Sequence, residues 1–387
     1  MNFDFISGIN ALGGGVLGYV IPFLFVLTLV VFFHELGHFL IARWCGVRVL
    51  VFSIGFGPEL FGKFDRHGTR WKISAIPLGG YVKMFGDADA ASTPSAALGT
   101  MNEADRSVSF HHKRLGQRAA ILFAGPAANF IFAVVLLAGL FSTVGEPFMP
   151  PDVGQVVPGS AAEAGGIKNG DVILSIDGGS VERFEDVQQA VMQNAAGSPM
   201  TIVVRRDDKP ITLSVTPHMT ETTDRFGNKS HVGVLGIQRS GMNYLRRDPL
   251  TAVWRATRET SNLVTSTLKG VGQMIVGTRT TDELGGPLRI AQMSGEVAQG
   301  GIVPLLWFMA VLSVNLGLIN LFPIPILDGG HLLFYAAEAL RGRPLGQRAQ
   351  EFGFRIGLAL VLTLMVFATW NDLVHLQIVA FIKGLVT

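Results

Sequence analysis

Two histidines and a glutamate fall within five positions, His34-Glu35-Leu36-Gly37-His38, just after a stretch (residues 5–33) that carries no charge. In a helix, residues four apart differ by about 40° around the axis and about 6 Å along it. His34 and His38 therefore share one face, as two ligands of one metal must. Glu35 lies about 60° from His38 on the same wheel, within reach of a water at that metal. Leu36 points away, and Gly37 removes bulk beside the pair. Zinc (Zn2+) accepts imidazole nitrogen and, in catalytic sites, keeps one position open for water. A carboxylate beside it can take a proton from that water and hand it to a leaving amine. The pattern predicts a hydrolytic site with His34 and His38 as metal ligands and Glu35 as acid/base. The same spacing also arises by chance on soluble helices. At bilayer depth, however, an ionisable side chain costs roughly 2.5–3.5 kcal/mol, so its presence there calls for a function.

Two protein ligands leave a catalytic zinc site one short. The candidate for the third is Asp328, in Asn320-Leu321-Phe322-Pro323-Ile324-Pro325-Ile326-Leu327-Asp328-Gly329-Gly330-His331. Pro323 and Pro325 break a helix, and Gly329 and Gly330 permit unusual backbone angles. Irregular backbone at membrane depth is tolerated where it lines an enclosed or wet cavity. A second reading stands beside this one, with Asp328 capping a helix that starts near Gly330. The lone Cys45 excludes an intramolecular disulfide and reads as a buried or interfacial thiol.

The elements that must position these residues are apolar. Of 387 residues, 49% are hydrophobic and 16% charged, against roughly 25% charged in soluble domains. A net charge of +2 gives no ground for a nucleic-acid partner. A membrane-crossing helix needs about 20 apolar residues, which predicts four spans: residues 19–42, one between Arg118 and Glu146, one between Glu296 and Asp328, and one after Arg355. The last is the weakest, because Asn371 and Asp372 interrupt it, although it can continue to residue 382. No Lys or Arg precedes Arg43, so the basic start of a cleaved signal peptide is missing and the first span is read as retained. Basic residues crowd the segments between spans one and two and between spans three and four, which the positive-inside rule places in the cytoplasm. Both termini and the long middle segment then lie outside.

The middle segment reads as a soluble α+β domain. Residues 153–157 suit a strand, and residues 160–164 a short helix capped by Ser160 and ended by Gly165-Gly166. Residues 171–178 suit a strand and turn, residues 184–193 a second helix, and residues 200–206 with 211–216 a closing hairpin. The pattern Ser160-x-Ala162-x-x-x-Gly166-Ile167-x-x-Gly170-Asp171-x-Ile173 resembles PDZ domains of bacterial envelope proteases. That resemblance implies a peptide or C-terminus bound by strand addition, or else a spacer or steric gate, and no second copy follows Thr216. Residues 87–109 read as a flexible linker. Residues 249–276 read as an amphipathic helix, lying on the outer membrane surface or packed on the PDZ-like domain.

Taken in order, His-Glu-x-Gly-His, Gly125-Pro126-Ala127-Ala128-Asn129, one PDZ-like domain and Asn-x-x-Pro-x-Pro-x-x-Asp-Gly-Gly resemble the site-2 protease family of intramembrane zinc metalloproteases, most closely its bacterial sigma-E-regulating members. The resemblance covers almost the whole chain. It implies zinc held by His34, His38 and Asp328, with Glu35 catalytic. It also implies substrate contacts at Asn320 and along a strand edge through Ile73, Tyr81 and Met84. Residues 70–84 look like the family's membrane re-entrant β-hairpin, and residues 52–58 like its neighbour. The expected fold is a polytopic α-helical membrane protein with an inserted α+β PDZ-like domain and a membrane re-entrant β-hairpin. Its divisions are 1–43 (first span), 44–116 (cytoplasmic loop), 117–145 (second span), 146–217 (PDZ-like), 218–300 (outer strand and helix region), 301–330 (third span), 331–355 (cytoplasmic segment) and 356–387 (fourth span). The expected function is cleavage of pre-trimmed single-span proteins, anti-sigma factors or remnant signal peptides, in the bacterial inner membrane, with the lipid bilayer as surroundings and the PDZ-like domain and both termini periplasmic. The alternatives are a membrane-tethered zinc protease acting in the cytosol and a non-enzymatic PDZ scaffold.

Overall fold

The computed structural model describes residues 17–87, 100–194, 197–223, 229–239, 241, 243–278, 285–343 and 345–375. The chain divides into two compact units, one within Met1–Ala138, Val253–Val271 and Thr280–Thr387, the other within Gly139–Ala252 and Gly272–Arg279. The expectations for both termini fall outside the described residues.

Four helices are long and apolar enough to cross a membrane: α1 (Leu17–Trp44), α3 (Leu115–Thr143), α8 (Ile302–Asn320) and α10 (Gln347–His375). They lie where the four predicted spans lie. On α10, Leu358, Leu362, Val366 and Phe367 are exposed, as side chains facing hydrocarbon would be. Asp372 stays inside this helix instead of interrupting it. It is buried and accepts the N–H groups of Gly286 (2.8 Å), Leu288 (3.1 Å) and Arg289 (3.1 Å). It thereby caps, from another helix, the start of α7 (Pro287–Gln299). No charge pattern announced α7, which packs on α1 with Gly295 against Tyr19.

Two expectations are corrected. The third span was drawn to residue 330, but α8 stops at Asn320. Residues 321–327 are irregular because Pro323 and Pro325 lack the amide a helix needs, and α9 (Asp328–Arg341) starts afresh. The predicted linker is in part ordered. Residues 88–99 lie outside the described residues, but Asp87 is buried and α2 (Glu103–Val108) is a helix, capped by Asn102 accepting from Asp105 N–H at 2.8 Å.

Between α1 and α2 runs one antiparallel ribbon, β1 (Val49–Phe64) and β2 (Arg70–Met84). It doubles back on itself. Residues 51–54 pair with 80–83 on one side and with 70–73 on the other, and residues 70–74 pair again with 59–64. Two separate hairpins were expected, and the ribbon joins them into one sheet. Phe52, Val82 and Met84 bury against Phe39 and Ala42 of α1 and Ile121 and Leu122 of α3. A second cluster packs Val26 and Val30 of α1, Phe132 of α3, Ala298 of α7, and Leu305 and Met309 of α8.

The second unit holds a four-stranded sheet in the order β6 (Gly179–Ser180), β5 (Val172–Ile176), β7 (Met200–Arg206), β8 (Lys209–Val215). The short helix α4 (Ala161–Ala164) is capped by Ser160, which accepts from Glu163 N–H at 3.3 Å, and α5 runs Phe184–Gln193. Ile173, Ile202, Val204, Val187 and Val191 form the core, as alternation on the strands and helical spacing on α5 predict. The strand β4 (Val153–Val156) pairs with β11 (Ile237–Arg239) instead of joining this sheet, β3 (Glu146–Phe148) pairs with β12 (Asn243–Leu245), and β9 (His218–Thr223) pairs with β10 (Lys229–Val234). Strand was expected within 218–300, but these pairings, made by short strands, were not anticipated. The predicted amphipathic helix is α6 (Pro249–Val276), capped by Asp248, with Leu250, Trp254 and Ile275 exposed.

One ion pair ties this unit's loops to its sheet. The buried Asp171 accepts from Arg206 Nε and Nη2, each at 2.7 Å, and from Lys168 N–H at 2.8 Å. Burial pushes its pKa up, but the Arg206 fork and the Lys168 amide outweigh that and hold it below the usual carboxylate range. A depressed folded pKa contributes stability that is complete above about pH 4, the unfolded value, and that fades as pH falls through the lower folded one. Arg206→Ala should therefore loosen the unit at neutral pH, with amide exchange in β7 and β8 faster by about 100-fold, the scale of a broken buried pair. The gap from the unaltered protein should close below about pH 4. Equal exchange at pH 7 would contradict this.

Candidate active site and metal centre

The site forms where α1, α3 and the start of α9 meet. Small residues bring α1 and α3 together: a Cβ on Gly37 would lie 2.2 Å from the Ala124 carbonyl oxygen and 2.7 Å from Ala128 Cβ. At that separation α3 reaches both imidazoles. His38 Nδ1 lies 2.9 Å from the Ile121 carbonyl oxygen, which can only accept. The proton therefore sits on Nδ1, and Nε2 offers a bare lone pair. His34 Nδ1 lies 3.2 Å from the side-chain amide of the buried Asn129, whose backbone carbonyl accepts from Ser313 Oγ on α8 at 2.9 Å. The atom facing the ring is Nδ2, while Asn129 Oδ1 is buried without a partner; exchanging the two, which leaves the amide's outline unchanged, lets Oδ1 accept the Nδ1–H and leaves His34 Nε2 bare as well.

Asp328 comes from the far side. A Cβ on Gly329 would lie 2.2 Å from the Leu321 carbonyl oxygen, and one on Gly330 2.2 Å from that of Ile324. Only glycines let the irregular run 321–327 fold this closely onto the first turn of α9. Leu327 occupies the cap position and makes no side-chain cap bond. Asp328 is thus inside the helix, and its carboxylate does not cap it. Its Oδ2 stands 3.2 Å from His34 Nε2 and 3.5 Å from His38 Nε2, and the two Nε2 atoms are 3.2 Å apart.

These three separations test whether a metal fits. Zinc with ligands at about 2.0–2.1 Å in a tetrahedron sets neighbouring donor atoms about 3.3–3.4 Å apart. The triangle observed matches one face of that tetrahedron. Asp328 Oδ2 is buried and makes no hydrogen bond, an unmet need that a cation would meet. The donor set, two imidazoles and a carboxylate, suits zinc.

Around the triangle lies a cavity of about 140 Å3, lined by Glu35, Gly80, Tyr81, Val82, Met84, Asn320 and His331 together with the two histidines and Asp328. Glu35 is next to the histidines and faces the Val82 backbone across the cavity. The strand approaches α1 this closely because residue 80 is glycine: a Cβ there would meet Ser53 O at 2.7 Å and Glu35 Cγ at 3.2 Å. Asn320 donates to Leu316 O at 3.1 Å. Of the expected substrate contacts, Asn320, Tyr81 and Met84 reach the cavity. Ile73 does not line it. It pairs with Ile54 on one side and Phe61 on the other, so it has no open edge to offer. His331 and Asn129 stood in the quoted motifs without a role, and only contacts between helices reveal their places.

The model of peptidase family M50 matches residues 22–364. The chain belongs to that family. The resemblance to site-2 proteases seen in the motifs is thereby borne out. A relative from Agrobacterium fabrum, named as a candidate zinc metalloprotease, is 50% identical over 94% of this chain and 98% of its own. One from Rhizobium meliloti, named likewise, is 51% identical over 92% and 97%. Metalloprotease MmpA of Caulobacter vibrioides is 39% identical over 96% and 100%. A solved HtrA3 PDZ domain with a phage-derived ligand overlaps 19% of this chain and 81% of its own at 24% identity, with a TM-score of 0.17, which carries no argument here.

Proposed function

We propose that this M50 peptidase is a zinc-dependent endopeptidase that cuts single-span proteins within their membrane segment. The observation that carries the reading is the placement of the donor triangle. Its imidazoles come from one long apolar helix, its carboxylate stands just beyond another, and Glu35 lies beside it. In this reading His34, His38 and Asp328 hold the metal. Bound zinc supplies a Lewis acid for the scissile carbonyl and makes water a better nucleophile. Glu35 would take a proton from the attacking water and return it to the departing amide nitrogen.

A peptide bond inside a helix is shielded by its own hydrogen bonds, so the substrate must be extended before it is cut. Residues 80–84 pair with β1 on one side only among the described residues and line the cavity. An extended substrate adds there as a further strand, and Asn320 serves polar groups freed from the substrate helix. The ribbon carries exposed apolar side chains, Leu60, Phe61, Phe64, Ile73 and Ile76, which supports a re-entrant position in lipid. The charge distribution supports an inner-membrane protein with the second unit periplasmic. That unit, read as PDZ-like, excludes substrates not yet trimmed or binds their new ends. Anti-sigma factors and remnant signal peptides fit this class.

The test is direct. Purified protein in detergent, given a single-span substrate, should cut inside the membrane segment. Treatment with 1,10-phenanthroline should abolish cutting, and added Zn2+ should restore it. A cut mapped to the soluble flank would favour a protease acting in the cytosol. Binding without any cut would favour a scaffold.

A further inference from the structure

The strand edge at the cavity is closed at one end by a residue that no step above uses. Phe85 N–H donates inward to Arg48 O at 2.8 Å. Backbone groups alternate along a strand, so those of residues 81 and 83 also face β1, and those of residues 80, 82 and 84 face the open side. The outward N–H of Val82 meets Glu35. Both outward groups of Met84 are taken by Asp87: Oδ2 accepts Met84 N–H at 2.9 Å, and Asp87 N–H donates to Met84 O at 3.2 Å.

Asp87 thus occupies, at Met84, the place of a residue on a partner strand. It is firmly held. Its side chain has no exposed surface, and His111 Nε2 lies 3.0 Å from Oδ1. His111 sits in the 3-10 turn Phe110–His112, which is itself fixed by Phe110 N–H donating to Phe85 O at 3.0 Å.

We propose that Asp87 is a register stop: it ends the pairing edge at Met84, so an added substrate strand can bond only to residue 80 and to the carbonyl oxygen of residue 82, whose N–H faces Glu35. This rests on the reading that substrate adds to this edge. The stop makes Asp87 a positioning residue that selects which peptide bond is presented, and His111 braces it. Without its carboxylate, Met84 N–H becomes available and the substrate can slide. The slide must be two residues, because a slip of one turns every side chain to the opposite face.

The test uses the full chain with zinc bound, and a single-span substrate whose products are mapped by mass spectrometry. The unaltered protein should cut chiefly at one bond. Asp87→Ala should raise the share of product cut two residues away by about tenfold, the scale of the one competing hydrogen bond it removes at Met84 N–H, and His111→Ala should do so more weakly. Zinc content equal to that of the unaltered protein shows that the centre is intact. Should Asp87→Ala fail to fold, His111→Ala decides alone. A variant with full zinc that cuts only at the original bond overturns the proposal, whether its rate is unchanged or reduced. Cutting outside the membrane segment by the unaltered protein would instead sink the reading beneath it.

Discussion

Glu35→Gln is expected to leave zinc bound and to lower cleavage by about 10^3-fold, the typical contribution of a positioned general base. The amide matches the carboxylate in size, and its oxygen can face the Val82 N–H as the carboxylate does. What it cannot do is hold a proton. Asp328→Ala should behave differently. It removes the carboxylate oxygen that stands 3.2 and 3.5 Å from the two Nε2 atoms and leaves two imidazoles, too few for a catalytic zinc site. Zinc affinity should fall by on the order of 10^2-fold or more, given that even residues behind the ligands contribute 10-fold to 100-fold, and cleavage should fall with it. Metal analysis and product yield on the two variants separate the roles. Cleavage that survives Glu35→Gln would remove Glu35 from the chemistry. Full zinc in Asp328→Ala, with unaltered cleavage, would remove Asp328 from the site.

The local part of this site could be read from the chain because it depends on one helical turn. His34, Glu35 and His38 lie on one helix, and the 3.6-residue period sets their arrangement before any tertiary contact forms. Asp328 is 290 residues beyond His38. Chemistry demanded a third ligand, but the same residue could equally have been a helix cap, and only the motif set tied it to the histidines. The fold of β1 and β2 was less accessible. The family resemblance marks residues 70–84 as a hairpin, but it does not show that residues 51–54 carry partners on both sides. That register pairs Ile73 on both sides and, among the described residues, leaves 80–84 paired on one side only, so Ile73 lies away from the cavity that Tyr81 and Met84 line. Asn129 and Gly125 were visible only as part of a small-residue motif. Their work depends on how closely α1 approaches α3, a distance that no single segment encodes.

That approach makes Gly125 the most sensitive position behind the site. A Cβ at residue 125 would lie 2.2 Å from His38 Nε2, 2.5 Å from Cε1 and 2.9 Å from Cδ2. Carbon atoms rest about 3.5–4.0 Å apart, so the ring would have to move by more than 1 Å or the helices would have to part. The ring is tethered, since His38 Nδ1 is bonded to the Ile121 carbonyl on the same α3. The helices are interlocked one turn away, where Gly37 sits against Ala124 and Ala128. Either movement displaces Nε2 from the triangle with His34 and Asp328. Gly125→Ala should therefore lower zinc occupancy and reduce cleavage by about 100-fold, the usual consequence of a 1 Å misplacement. Gly116→Ala is the matched control. It lies on the same helix, and its Cβ meets nothing within 4 Å. Zinc and activity should survive at residue 116 and fail at residue 125. Equal behaviour of the two variants would mean that the contact between α1 and α3 does not hold His38 in place.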